Sequence, residues 1–346
     1  MAKRIKATTI RDVAEAAGVS QSTVSLVLNS SAAKYRISKT TQAKVTAAAE
    51  KLRYVPLKHQ NRALSFTGGQ IEDPIVCVFW EAYFDHGPLK EFFQGLTRYK
   101  NECNDNFEFA VHSYTSGNLA NMSRIINSGI YHGFIFTGLS DEDEAFIASI
   151  DTDAPIVIFN RDLGNLSAVL VDNYKVGQRA ASALLKNCAA SLVCVNPQNM
   201  HKNPGIRHAG VYDTCIKEGV PHDSILNLYT ENSYNGGYSA AEKVLNSVTP
   251  PFSVFVSGDT MLTGFVKCLR EHGCSIPGDA YIVAYGNSIV SEILSPSITS
   301  ISPPTSDMGY DCVQMIDMLM KGAGGKGNVK KHECILTYRE SCPEVL

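Results

Sequence analysis

From residue 75 onward the chain keeps returning to short, almost unbroken apolar runs: IVCVFW (75–80), FEFAVHSY (107–114), GFIFT (133–137), PIVIF (155–159), AVLV (168–171), SLVCV (191–195), FSVFV (252–256), YIVAY (281–285) and CILT (334–337). A run without polar alternation suits a strand buried on both faces of a parallel sheet. Between the runs lie helix-like stretches such as LKEFFQGLTRYKN, YKVGQRAASALLKN and MLTGFVKCLREHG. Repeated β–α alternation predicts open parallel sheets covered by helices. A stretch of about 270 residues with so many strands is better served by two cores than by one. In such folds a ligand binds beyond the carboxyl ends of the strands.

The first 65 residues follow another rule. Residues 1–65 hold 12 Lys/Arg against 3 Asp/Glu, a balance of +9, while the remainder holds 19 against 31. The net charge of −3 therefore conceals a basic segment on an acidic body. Such a segment seeks a polyanion. Within it stands TIRDVAEAAGVSQSTVSLVLN (9–29). Ile10, Val13, Ala14 and Ala17 share one helical face, with Thr9 as a plausible cap and Gly18 as the stop. Ser20 can cap a second helix carrying Val24, Val27 and Leu28 inward. A third helix is readable from Ser38 to Leu52, with Val45, Ala48, Ala49 and Leu52 inward. A short helix, a tight glycine turn and a second helix make the helix-turn-helix arrangement. The outer face of the second helix carries Gln21, Ser22, Ser25 and Leu26. Gln pairs with adenine in the major groove, Ser with several base edges, and Leu with a thymine methyl. Lys34, Arg36, Lys39 and Lys44 can meet phosphates, which fixes register without reading sequence.

This segment resembles the DNA-binding signature of the LacI/GalR family of bacterial transcription repressors, and KLRYVP (51–56) closes it as the family does. The resemblance implies base contacts by Gln21, Ser22 and Leu26, and backbone contacts by Thr9, Ser20, Thr23, Ser25, Asn29 and Tyr54. Many members carry Arg where Leu26 stands, so a bidentate guanine contact is missing here. It further implies a hinge helix within LKHQNRALSFTGGQIEDP, with Leu64 wedged into the minor groove. A flexible linker is the alternative reading, and both hold if the helix forms only on DNA. The resemblance continues through AVLVDNYKVG, RHAG (207–210), PPFSVFVSGDTMLTG and LSPSITSISPPTSDMG.

The fold so implied is α/β: an all-α helix-turn-helix head, then two Rossmann-like lobes of a periplasmic-binding-protein-like core joined by three crossings. The expected domains are a DNA-binding head at 1–56, a hinge or linker at 57–72, and an effector-binding and dimerisation core at 73–346. Lobe one spans about 74–172 and 302–328, and lobe two about 173–301 and 329–346.

The cleft residues follow from chemistry. A small polyol wants charged and amide groups for its hydroxyls and an aromatic wall for its C–H face. Trp80, Tyr83 and Phe84 follow the first strand, and Asn160 and Arg161 follow PIVIF. Arg207 heads a lobe-two helix, and Asp259 follows FSVFVSG. Plainer alternatives stand beside three of them: Trp80 as a packed lobe-edge aromatic, Arg161 as a surface or lobe–lobe salt bridge, Asp259 as a helix cap. Where many sugar-binding members read Val-Gly-Phe-Asp, this chain has Val283, Ala284, Tyr285, Gly286, so the acidic pocket residue is missing. Gly87, Pro88 and Leu89 replace an aromatic ahead of the LKEFFQG helix. With Arg161 and Arg207 retained, an acidic or less hydroxylated ligand gains weight.

No stretch approaches the ~18 apolar residues of a membrane span, and no apolar segment follows the basic N-terminus as in a secretory signal. The ten cysteines show no CxxC and read as reduced thiols in a cytoplasmic protein. GAGGKG (322–327) follows a helix and lacks the Ser/Thr of a phosphate loop. No metal spacing, paired carboxylates or nucleophile–base set stands out. The expected protein is a cytoplasmic transcription repressor, not an enzyme and without cofactor or metal. It binds double-stranded DNA at a pseudo-palindromic operator as a homodimer, under control of a small effector, a sugar or sugar acid. A plain solute-binding protein and an α/β sugar-modifying enzyme are the other readings.

Overall fold

The computed structural model describes residues 9–28, 37–52, 74–82, 86–103, 107–188, 191–198, 202–286, 289–325 and 327–345. The head comprises α1 (Ile10–Ala17), α2 (Gln21–Leu28) and α3 (Lys39–Lys51). Its small core is Val13, Ala14, Val24, Val45, Ala48 and Ala49, bordered by Ile10, Ala17, Val19, Val27, Leu28 and Leu52. Gly18 ends α1 with φ +66°, the left-handed conformation that glycine adopts without Cβ strain. Its amide and that of Val19 return to the carbonyls of α1.

Beyond the head stand two six-stranded sheets. The first has the order β11-β5-β4-β3-β1-β2 and the second β12-β10-β9-β8-β6-β7. Sheet one uses β1 (Ile75–Glu81), β2 (Glu108–Tyr114), β3 (Gly133–Phe136), β4 (Ile156–Phe159), β5 (Ser167–Val171) and β11 (Val329–His332). Sheet two uses β6 (Leu192–Pro197), β7 (Ile225–Thr230), β8 (Phe252–Val256), β9 (Ala280–Tyr285), β10 (Thr299–Ser302) and β12 (Ile335–Thr337). Every pairing is parallel except β10 with β12. The helices are α4 (His86–Cys103), α5 (Ser123–Ile126), α6 (Asp141–Ala148), α7 (Asn173–Asn187), α8 (Lys202–Lys217), α9 (Tyr234–Ser247), α10 (Asp259–Glu271), α11 (Ile289–Ile293) and α12 (Thr305–Met320).

The central strands are buried on both faces, as their continuous apolar runs require. Three strands were not legible as such: β7, β10 and β11. β7 and β11 are sheet edges with exposed or half-exposed side chains, and β10 reads Thr-Ser-Ile-Ser. β11 corrects the expected lobe boundary. Residues 329–332 pair with β5 in sheet one, so the chain returns to the second lobe only after His332. The reason is that VKKH closes an open edge through its backbone and needs no apolar side chains to do so.

The chain passes between lobes after β5, after β10 and after β11. One apolar cluster runs continuously from Val76, Val78 and Trp80 in lobe one to Leu192, Val211 and Phe255 in lobe two. Separate clusters fill the far faces, around Phe79 and Phe136 in lobe one and around Val254 and Phe265 in lobe two. The GAGGKG segment connects α12 to β11, with Gly322 at φ +68° after the helix end. The ten cysteines form no disulfide.

Candidate functional site

The head presents α2. The Ser20 hydroxyl accepts the amide of Thr23 at 3.1 Å and lies 2.9 Å from the Thr23 hydroxyl, so it caps the helix. At α1 Thr9 takes the cap position as expected, within a capping box that Asp12 completes. The Asp12 carboxylate accepts both the Thr9 amide, at 2.7 Å, and the Thr9 hydroxyl, at 2.8 Å. A carboxylate in the first turn also suits the helix dipole. Gln21 and Ser22 are exposed, and Thr23, Ser25 and Leu26 are half-buried. Thus two of the three side chains expected at base edges, Gln21 and Ser22, stand outward, Leu26 is half-buried, and Val24 points into the core. Asn29, Tyr54 and Leu64, with Lys34, Arg36 and the hinge, lie outside the described residues.

In the core, Arg207 on α8 is 5 % exposed. Its Nε donates to the Ser257 hydroxyl at 3.1 Å and its Nη1 to Asn173 Oδ1 at 2.7 Å. Its guanidinium lies 4.0 Å from the centre of the Tyr285 ring, a cation–π contact in a desolvated place. A guanidinium has five N–H groups, and these bonds occupy two. Burial pulls the Arg207 pKa down; only Tyr285 and Cys334 oppose that, and no carboxylate does. Burial pushes the Tyr285 phenol up to about 12, so the ring stays neutral.

The Asn160 side chain and the Asp259 carboxylate both lie near enough to act on the Tyr285 phenol. Asn160 is the one non-glycine residue among those described with positive φ, at +57°, a conformation that Asn tolerates better than most residues. Its carbonyl accepts the Asn203 side-chain amide at 2.8 Å. Asp259 opens α10 after the N-cap Gly258. The carboxylate of Asp259 fills the space where a side chain at position 286 would stand: a Cβ on Gly286 would lie 2.4 Å from Asp259 Oδ2. Asn160, Arg207 and Asp259 are therefore gathered about Tyr285. The residues that sequence reasoning missed are Tyr285 itself, Asn173 and Ser257. Each stands at or just past the carboxyl end of a strand, and that position is the signal that could have found them.

Two expected ligand residues have other occupations. The Trp80 ring packs on Phe92 and Phe159, with centroids at 5.3 and 6.3 Å, and belongs to the lobe-one core. The packed alternative is the one observed, because β1 is buried on both faces. Arg161 is likewise engaged within its own lobe. Its Nη1 lies 2.9 Å from Glu144 Oε1 and its Nη2 donates to the Leu139 carbonyl at 2.9 Å, all within lobe one. Tyr83 and Phe84 lie outside the described residues.

Among the described residues there is no cluster of metal-ligating side chains and no helix long and apolar enough to cross a membrane. Residues 9–57 match the family of bacterial regulatory proteins named lacI, and residues 187–342 match a periplasmic binding protein-like domain. The HTH-type transcriptional regulator DegA of Bacillus subtilis (strain 168) is 27 % identical over 313 residues, 88 % of this chain and 89 % of that one. Catabolite control protein A of Streptococcus mutans is 27 % identical, covering 95 % of both chains. Among solved structures, a complex of the regulator CelR with cellobiose shares the fold at a TM-score of 0.70 and 24 % identity, over 96 % of this chain and 99 % of that one. A lac repressor dimer bound to operator does so at 0.69 and 20 %, over 98 % and 100 %. The chain thus joins a lacI-type helix-turn-helix DNA-binding head to a periplasmic-binding-protein-like domain, and the proteins similar to it over nearly their whole length are transcription regulators.

Proposed function

We propose that the protein is a cytoplasmic, homodimeric repressor whose hold on a pseudo-palindromic operator is set by a small, hydroxylated and acidic ligand, a sugar acid before a neutral sugar. The observation that carries the effector class is Arg207, a buried cation without a carboxylate partner among the described residues. A desolvated charge is costly until it is paired, and an incoming carboxylate pairs it. Asn160 and Asp259 around Tyr285 supply acceptors for hydroxyl groups. Related structures were solved with cellobiose and with ribose, which supports a carbohydrate scaffold.

On DNA, Gln21, Ser22 and Leu26 read base edges while Thr9, Ser20, Thr23 and Ser25 hold the backbone. The proposed domains are the head to residue 56, the hinge at 57–72 and the core beyond. Two heads read two half-sites, as a symmetric dimer demands. Coupling then requires that the ligand bind the two lobe arrangements unequally. Binding, not catalysis, is the activity.

The test is a thermal-shift panel on the full chain with neutral hexoses, uronic acids, aldonic acids and sugar phosphates. A saturable upward shift marks a ligand of the folded cleft. Acids should lead the panel. A panel led by neutral hexoses would overturn the acidic ligand class.

A further inference from the structure

The two lobes are bridged by the protein's own charges. Lys202, at the start of α8 in lobe two, reaches Asp141 Oδ1 and Glu144 Oε2 on α6 of lobe one, each at 2.8 Å. Glu144 divides its carboxylate: Oε2 meets Lys202, and Oε1 is held by Arg161 at 2.9 Å. The two halves differ in surroundings. Arg161 and Glu144 are 8 % and 18 % exposed, whereas Lys202 and Asp141 are 50 % and 74 % exposed. Beside this network the Asn203 amide donates to the Asn160 carbonyl, again from lobe two to lobe one.

We infer that Lys202 is a latch: it holds the two lobes closed in the absence of ligand, on an acceptor that Arg161 keeps in position. This goes beyond the proposed effector and does not depend on its identity. The inner pair, buried within one lobe, stays formed whichever way the lobes move. The outer contact is exposed, so salt screens it and it breaks easily. Such a contact biases an equilibrium without locking it. Because Asn160 belongs both to this edge and to the Tyr285 cluster, the state of the latch reaches the ligand site directly. A chain that closes itself lowers the closure energy its ligand must supply. Breaking the latch weakens apparent ligand affinity by the fraction of closed molecules lost.

The experiment is single-molecule energy transfer on the full chain, with dyes attached through non-natural residues at Asp153 and Asp223. One label sits on each lobe, and the native cysteines stay untouched. At low salt the unaltered chain should show a dominant closed population. Lys202→Met should lose at least half of it, and Lys202→Arg should keep it. Raising NaCl to 1 M should open the unaltered chain and leave Lys202→Met unmoved. Identical distributions for the unaltered chain and Lys202→Met at low salt would overturn the latch. So would a salt response that persists in Lys202→Met. A fall in its urea midpoint large enough to account for the lost population would make Lys202 a folding residue and overturn it equally.

Discussion

Gly177 on α7 leaves the space that the carbonyl of Arg207 on α8 occupies: a Cβ at 177 would stand 1.9 Å from that oxygen. The reverse contact is as close, since a Cβ on Gly210 would stand 2.1 Å from the Tyr174 carbonyl. The two helices thus meet backbone to backbone at the residue that carries the buried guanidinium. The position of Arg207 over Tyr285 is set by the absence of a methyl group on the neighbouring helix.

Gly177→Ala should therefore damage both stability and the ligand site. Overpacking costs roughly 1–3 kcal/mol, and contact with backbone rather than a flexible side chain puts this case at the upper end. Urea unfolding should show the loss, and the ligand-induced thermal shift should shrink in parallel. An unchanged midpoint would mean that α7 and α8 part without cost.

Arg207→Met separates binding from stability. Removing a buried charge relieves its desolvation, while Asn173 Oδ1 loses its donor. These effects oppose each other, so unfolding free energy should stay within about 2 kcal/mol of the original. The thermal shift with any ligand that stabilises the unaltered chain should vanish. A retained shift would show that the ligand does not use the guanidinium.

Gln21→Ala should relax preference at one base pair by roughly 1–3 kcal/mol and spare the others. Competition anisotropy over single-base operator variants measures this. Equal weakening on every sequence would make Gln21 a phosphate contact instead.

His132 accepts the Ile75 amide on Nδ1 at 3.1 Å, and burial holds its pKa below the ordinary 6.5. His208 is lowered by burial in the same way. The unfolded chain then binds more protons than the folded one just below pH 6.5, so stability is full above that value and falls as pH drops through it. His132→Asn keeps an acceptor for Ile75 and does not titrate. Its urea midpoint should lose less between pH 7 and pH 5 than that of the unaltered chain.

Asp143 is 1 % exposed and accepts the amides of Gly117, Leu119 and Ser140 at 2.8, 3.0 and 3.0 Å. Asp143→Ala strands three donors and should cost at least about 3 kcal/mol. Because the same carboxylate closes the first turn of α6, looser packing there should also show as faster amide exchange at 140–148. Wild-type stability would show that water replaces the carboxylate without penalty.

The sequence by itself determined the head and the two-sheet core. Periodicity at Ile10, Val13 and Ala14, the turn at Gly18 and the cap at Ser20 are local, so the chain states them where they occur. Buried parallel strands are likewise stated locally, because both faces must be apolar. What only the tertiary structure decided is which polar groups are spoken for. Arg161 and Arg207 are both cations nominated for the cleft, yet Arg161 meets Glu144 on a neighbouring helix while Arg207 finds no acid among the described residues. β11 shows the same limit, since VKKH becomes a strand only because β5 offers an open edge. Charges and edges take their meaning from partners distant in the chain, and a desolvated group is cheap or costly according to a neighbour that no local pattern names.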